Sequence, residues 1–517
     1  MKILFLLFSM IPALHGITQP GGSTILVKNV TIISANETGV LSIKGNVVIR
    51  NDTILYAGKK KPKLAGHYKV INGRHKYIMP GLIDTHVHLA SIAGMNGALR
   101  RKYPELVHLY FQQLPKSFLY YGFTTLVDLN NYAPTIIDQL RQENIRPDIF
   151  TCGEQVMVMN DFMMEMDEYS SAERYNSRFL HDSYNPNVPL PDSILPEDHH
   201  PARIATQIRE QAGICAKIVY EDEASGLPVS WEKPSTFILK DLISVLQSFN
   251  MPLILHAPSL EGHQVGLESG INIFAHGLWN WYTDPGNYDQ KKLTEKLKQV
   301  LHQIAQRKTG YQLTFRTITG EKDMLDTAFL YDPQLKNCFP EAFLEFLKTE
   351  EGQWGKRKIL QRGEFLSNVN PALYTTLRRK YDSDTAMWAA LHQLYKYRLD
   401  TVAKILSAHN ANFMIGSDSP SMNMYTNPPG YNGFLEMKHW HDAGISLSQI
   451  FRAATLSNAK AIGLQHLYGS VSAGKLANLL ILRSNPLQSI HAYDSIETVI
   501  IRGKMIPRAS LSASYLQ

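Results

Sequence analysis

The sequence predicts an α/β protein: a (β/α)8 TIM barrel with a small composite β-sandwich built from its N- and C-terminal segments. Two observations carry this. Both ends of the chain are rich in short β-type runs broken by turn residues, and the long middle alternates apolar strand-like runs with helix-like stretches. Those middle runs number eight, which is what a closed barrel needs.

The chain has 517 residues, 44% of them hydrophobic and 19% charged. That is ordinary globular composition with ample material for a large core. The formal charge is +6, scattered along the chain, and its densest run is Lys59-Lys60-Lys61. Such runs read as solvated faces and point away from nucleic-acid or membrane partners. A small-molecule substrate is the expected partner, and a homo-oligomer is compatible with the composition.

Met1-Lys2 followed by an apolar run over 3–14 reads as a signal peptide covering 1–16, with Gly16 as the small residue near cleavage. The run is shorter than the ~20 residues that span a bilayer. The expected location is therefore secreted or periplasmic; a hydrophobic N-terminal strand is the alternative.

Residues 17–79 form the first part of the sandwich, with runs such as Ile25-Leu26-Val27 and Val47-Val48-Ile49, and a hairpin at Asn51-Asp52. Residues 80–464 form the barrel. Its candidate strands are 81–86, 124–129, 149–153, 216–220, 253–256, 273–276, 312–317 and 413–416. Insertions at about 154–211 and 321–400 follow candidate strands, where barrel enzymes place substrate loops. Residues 465–517 return to β texture, and Val499 to Lys504 reads as one strand. Three cysteines, Cys152, Cys215 and Cys338, form no C-x-x-C pair. An odd, sparse set predicts buried free thiols.

The strongest local signal is Pro80-Gly81-Leu82-Ile83-Asp84-Thr85-His86-Val87-His88. A strand alternates faces with period two, so His86 and His88 share one side and can share a cation. Bare H-x-H pairs arise by chance among 19 histidines; one that ends the first barrel strand is more specific. Lys217, His256, His276 and Asp418 lie on or just past other candidate strands. Taken singly, each has a bland reading: a satisfied polar residue, a surface amine, a helix cap. Their order on successive strands makes independent bland readings hard to sustain.

These residues resemble the amidohydrolase superfamily, and within it the imidazolonepropionase-like and Xaa-Pro dipeptidase-like branch. Gly122-Phe123-Thr124-Thr125-Leu126-Val127-Asp128, Phe451-Arg452-Ala453-Ala454-Thr455 and Gly474-Lys475-Leu476-Ala477-Asn478-Leu479 carry the likeness further. Asn478 departs from the family's usual Asp. The resemblance implies that His86, His88 and Asp418 hold one divalent metal, zinc by expectation, and that His256 and His276 hold a second. Lys217 would bridge them as a carbamate (carboxylysine); with one ion, Lys217 or His256 would contact substrate instead. Asp418 would act as general base and then acid. Tyr220 is a candidate substrate donor, or else a core aromatic. The Met157–Met166 cluster invites soft-metal binding, but such clusters more often pack flexible lids.

The expected activity is hydrolysis of an amide-type C–N bond in a dipeptide or N-acyl amino acid. The alternatives are a cyclic amidase that opens a ring, and a non-catalytic metal- or ligand-binding barrel.

Overall fold

The computed structural model describes residues 23–166, 179–190, 192, 194–222, 231–281, 289–369 and 371–516. The expected signal peptide lies outside them.

The α/β class is as expected. The chain opens with β1 (Thr24–Asn36), β2 (Gly39–Arg50), β3 (Thr53–Gly58), β4 (Lys69–Asn72) and β5 (Tyr77–Pro80). The middle supplies β6 (Leu82–Val87), β7 (Phe123–Asp128), β8 (Asp148–Thr151), β9 (Met157–Val158), β10 (Phe179–Leu180), β11 (Ala216–Val219), β12 (Leu253–His256), β13 (Ile273–Ala275), β14 (Gly310–Gln312) and β15 (Asn412–Phe413). The end adds β16 (Leu479–Leu482), β17 (Ile496–Ile501) and β18 (Lys504–Pro507).

The terminal strands form one hydrogen-bonded sheet in the order β18-β17-β16-β5-β1-β2-β3, with β4 also pairing β1. The N-terminal and C-terminal pieces meet where β5 runs antiparallel to β16. Val27, Val47, Ile49, Ile78, Leu479 and Ile500 fill its own apolar core, as period-two alternation requires. One reading needs correction here. Val499 to Lys504 is not one strand: the chain turns at Arg502 and Gly503, both at positive φ, and β18 returns antiparallel to β17. The positive φ that Gly503 permits is what allows so tight a reversal.

The middle strands lie in two parallel sheets, β6-β7-β8 and β11-β12-β13-β14-β15. Backbone bonds join the sheets at both margins. At one margin Ile214 N–H donates to Thr151 O (2.8 Å) and Val156 N–H to Lys217 O (2.8 Å). At the other, Thr85 N–H donates to Ile415 O (3.1 Å) and Asp418 N–H to His86 O (2.8 Å). The near-continuous apolar runs of these strands reflect burial on both faces.

The cysteine reading is overturned. Cys152, just past β8, and Cys215, just before β11, are joined by a disulfide across the first margin, and Cys338 alone is free and buried. The two lie 63 residues apart in sequence, so only the parallel packing makes them neighbours.

The seventh strand is also shorter than expected. It ends at Gln312, and residues 315–325 are helical (Phe315–Leu325). Thr314 sits in the left-handed region at φ 45° and turns the chain out of the sheet. The insertion after β14 is helical and charged, including the long helix Asp384–Ala408. In the other insertion, Met157 and Met164 pack with Phe179, Met159, Met163, Leu190 and Ile194 as a small apolar cluster. Among the described residues, no helix is long and apolar enough to cross a membrane.

Candidate metal centre

The H-x-H pair sits where the end of β6 meets the segment beyond β15. Gly416 permits this approach, because a side chain there would press on the His86 Cβ and on Gln312. His86 Nε2 lies 3.1 Å and His88 Nε2 3.0 Å from Asp418 Oδ1. These three ligand atoms all fall within 4.8 Å of one another.

The backbone around the centre is strained. His276 (φ 74°), Thr314 (φ 45°) and Asp418 (φ 53°), which follow β13, β14 and β15, are all left-handed. That conformation costs a residue with a Cβ of order 1–3 kcal/mol and clusters at functional sites. Asn458 adds a clamp: its amide donates to Ile83 O (2.7 Å) and Ile415 O (2.8 Å), tying β6 to the segment that delivers Asp418.

Neighbours fix which nitrogen faces the centre. His86 Nδ1 is 3.0 Å from Gln312 Oε1, whose amide nitrogen donates to Thr85 Oγ1 at 3.0 Å. His276 Nδ1 meets Thr314 Oγ1 at 2.8 Å. With its Nδ1–H given to Gln312, a neutral His86 turns a bare Nε2 on a carboxylate oxygen. Two lone pairs facing each other at 3.1 Å repel unless a cation joins them. Burial, helped by the Lys217 charge, holds His86 down at about 3, and burial likewise holds His276 well below the ordinary imidazole range. Both rings are thus neutral near pH 7, the form that binds metal. Two imidazole nitrogens and one carboxylate suit a borderline divalent cation such as zinc.

The other predicted residues are placed as follows. Lys217 is buried on β11, and burial lowers its amine to about 8 despite the Asp418 charge. The His276 ring lies 5.2 Å from that of His86 and 4.3 Å from that of His256. His256 Nε2 is engaged with Glu221 Oε2 at 3.0 Å. His276 and His256 therefore adjoin the trio without entering the same tight cluster, and the Lys217 amine acts electrostatically on His86 and His276. Tyr220 is buried and its hydroxyl donates to Glu261 Oε1 at 2.7 Å.

Sequence reasoning missed Gln312, Thr314, Thr317 and Glu221. Thr317 Oγ1 donates to Asp418 Oδ2 at 3.2 Å. The polar residues of Gln312-Leu313-Thr314 at a strand end were a signal within reach; Glu221, directly after Tyr220, was another.

Residues 351–506 match the amidohydrolase family. Over 86 residues the chain is 38% identical to a 5-methylthioadenosine/S-adenosylhomocysteine deaminase of Thermoanaerobacter pseudethanolicus, covering 17% of this chain and 18% of that protein. The match thus spans less than a fifth of that curated relative. Among solved structures, molinate hydrolase is similar with a TM-score of 0.62 at 18% identity, over 95% of this chain and 96% of that one. A Xaa-Pro dipeptidase with bound methionine in its active site gives 0.57 at 16%, over 94% and 100%. At such identities the likeness is one of fold. The C-terminal part thus matches the amidohydrolase family, and along nearly its whole length the chain shares the fold of molinate hydrolase and of the Xaa-Pro dipeptidase.

Proposed function

We propose that this chain is a metal-dependent hydrolase of an amide-type C–N bond, acting on a dipeptide or an N-acyl amino acid. The observation that carries the reading is the convergence of the ligand atoms of His86, His88 and Asp418 on one point. A divalent cation bound there, zinc in our reading, would polarise the scissile carbonyl and acidify water. His86, held by Gln312, keeps a neutral nitrogen aimed at that point, and His88 lies beside it. Asp418 accepts the proton of the attacking water and later delivers it to the leaving nitrogen. The fold neighbour named as a Xaa-Pro dipeptidase supports the dipeptide reading.

Lys217 is read as a carbamate. A buried amine held at about 8 is neutral more often than an ordinary lysine. The neutral nitrogen bonds to carbon dioxide and releases a proton, and the side chain becomes an anionic oxygen donor. That donor, with His276 and His256, would serve a second cation once Glu221 releases or joins His256. Tyr220 would have to leave Glu261 to meet substrate.

The two parallel sheets are read as one closed (β/α)8 barrel, a reading supported by the backbone bonds at both margins. The terminal sheet is read as the composite sandwich, since Ile54 at β3 bonds Lys475 just ahead of β16 (2.8 Å). The Cys152–Cys215 disulfide suits an oxidising compartment and so supports the secreted or periplasmic reading.

The test is metal analysis of the purified chain with a hydrolysis screen of dipeptides, N-acyl amino acids, lactams and lactones. One or two ions per chain and cleavage of a linear amide are expected. Ring opening alone would favour the cyclic amidase. A chain with neither metal nor turnover would be a binding protein, and the hydrolase reading would fall.

A further inference from the structure

Residues 312–317 reach three site residues on three other strand ends. Gln312 Oε1 meets His86 Nδ1 at 3.0 Å, Thr314 Oγ1 meets His276 Nδ1 at 2.8 Å, and Thr317 Oγ1 meets Asp418 Oδ2 at 3.2 Å. Three long-range contacts thus rest on a single tight turn. The turn is not relaxed, because Thr314 is β-branched and sits at φ 45°. A strained turn persists only where its surroundings over-determine it.

Glu436 supplies that constraint. It is fully buried on the helix Tyr431–Asp442. Its two carboxylate oxygens accept from the amides of Phe315 and Arg316, each at 2.9 Å. The Trp440 indole donates to Oε1 at 2.7 Å and fixes the carboxylate. These amides belong to the first turn of the helix Phe315–Leu325 and lack partners within it. A second tie runs through Arg316, whose Nε donates to Asn432 Oδ1 (2.9 Å), while Asn432 Nδ2 donates to Ser417 O (2.7 Å), next to Asp418.

We propose that Glu436 is a positioning residue: by gripping both free amides of the 314–317 turn, it sets the Thr314 and Thr317 hydroxyls that orient His276 and Asp418. The inference rests on the metal-centre reading above. It assigns a role to a carboxylate 121 residues from the turn it grips, on an element that carries none of the predicted ligands.

The experiment uses the full chain loaded with Co2+, following visible absorption and affinity by competition with a chelator, beside the unfolding temperature of the metal-free protein. Thr314→Val and Thr317→Val keep the branched shape and remove only the hydroxyl. Each is expected to weaken Co2+ binding about 10–100-fold and to alter the absorption band. Thr314→Ser and Thr317→Ser should restore binding to within about threefold of wild type, the hydroxyl being what matters. Glu436→Gln, which turns one amide donor on a backbone N–H, should weaken binding as the valine variants do. Should it fail to fold, Glu436→Asp, with the charge kept and the reach shortened, carries the same expectation. Variants that bind Co2+ with wild-type affinity and spectrum, whatever their unfolding temperature, would overturn this proposal alone. A wild-type chain that takes up no Co2+ would overturn the metal reading and this proposal with it.

Discussion

Two carboxylates in this molecule meet opposite surroundings. Asp148, which opens β8, is buried and saturated. Oδ2 accepts from the Tyr468 hydroxyl (2.8 Å) and the Asn478 amide (2.8 Å), and Oδ1 from Arg502 Nε (2.8 Å). It ties the parallel sheet to β16 and to the turn after β17, and with Arg502 Nη2 also on Oδ1 (2.6 Å) four donors of this chain meet its two oxygens. Asp418, past the end of β15, faces imidazole nitrogens, one of them bare because its other nitrogen serves Gln312. Its backbone is left-handed, as are those of its neighbours His276 and Thr314. A satisfied carboxylate on relaxed backbone holds a fold together. A carboxylate turned on a bare imidazole nitrogen, on strained backbone, is the feature on which the proposed metal centre rests.

The sharpest way to break this contrast is Asp418→Asn. Turnover should fall at least about 10³-fold while unfolding stays within a few degrees of wild type. Near-normal rates in a steady-state assay would remove the residue from the chemistry. Next in size is the disulfide. Closing a loop of 63 residues stabilises by about 4 kcal/mol in the chain-entropy account. Reducing agent or Cys152→Ser should therefore lower the denaturation midpoint markedly, and an unchanged midpoint would show that packing alone holds the margin. Asp148→Ala should cost about 3 kcal/mol through loss of a buried ionic network, with the kcat of the folded protein preserved. A selective loss of kcat would erase the distinction between the two carboxylates.

Glu321 offers a milder test on a second satisfied cluster. Burial opposes its ionisation, yet Arg362 and His392 outweigh burial and bring it down to about 2. The folded value lies below the unfolded one of 4.5, so the ionised cluster stabilises above pH 4.5. That stability, roughly 2 kcal/mol after screening, should drain as pH falls from about 4.5 to 2. Arg362→Ala should flatten that acid slope in urea titrations. Smallest is Asn478→Asp, which sets a second carboxylate against Asp148 Oδ2 and should cost about 1 kcal/mol near neutral pH, recovered on acidification. Equal stability of the variant across pH would mean that Arg502 already absorbs the added charge.

Much of the scaffold could be read in advance because strands announce themselves locally. Seven of the eight expected middle strands fall within a few residues of observed ones, since apolar runs bounded by turns are properties of short windows. The remaining one, the seventh in chain order at 312–317, misled because Gln312-Leu313-Thr314 continues the β pattern, while the amides of Phe315 and Arg316 are claimed by Glu436 from 121 and 120 residues away. The site was legible to the same degree. Period two put His86 and His88 on one face, and the family resemblance added Asp418, whose carboxylate lies close to both. That Glu221 occupies His256, or Glu261 the Tyr220 hydroxyl, has no local trace, because those contacts span 35 and 41 residues.

By itself, then, the sequence determined the succession of strands and helices and the residue types placed at strand ends, since both follow from periodicity and chain order. The tertiary structure alone decided which of those residues touch: Cys152 with Cys215, Glu436 with the 314–317 turn, His86 with Asp418. Contacts between distant segments depend on how sheets close and twist, and those are set by the packing of the whole core rather than by any window of the chain.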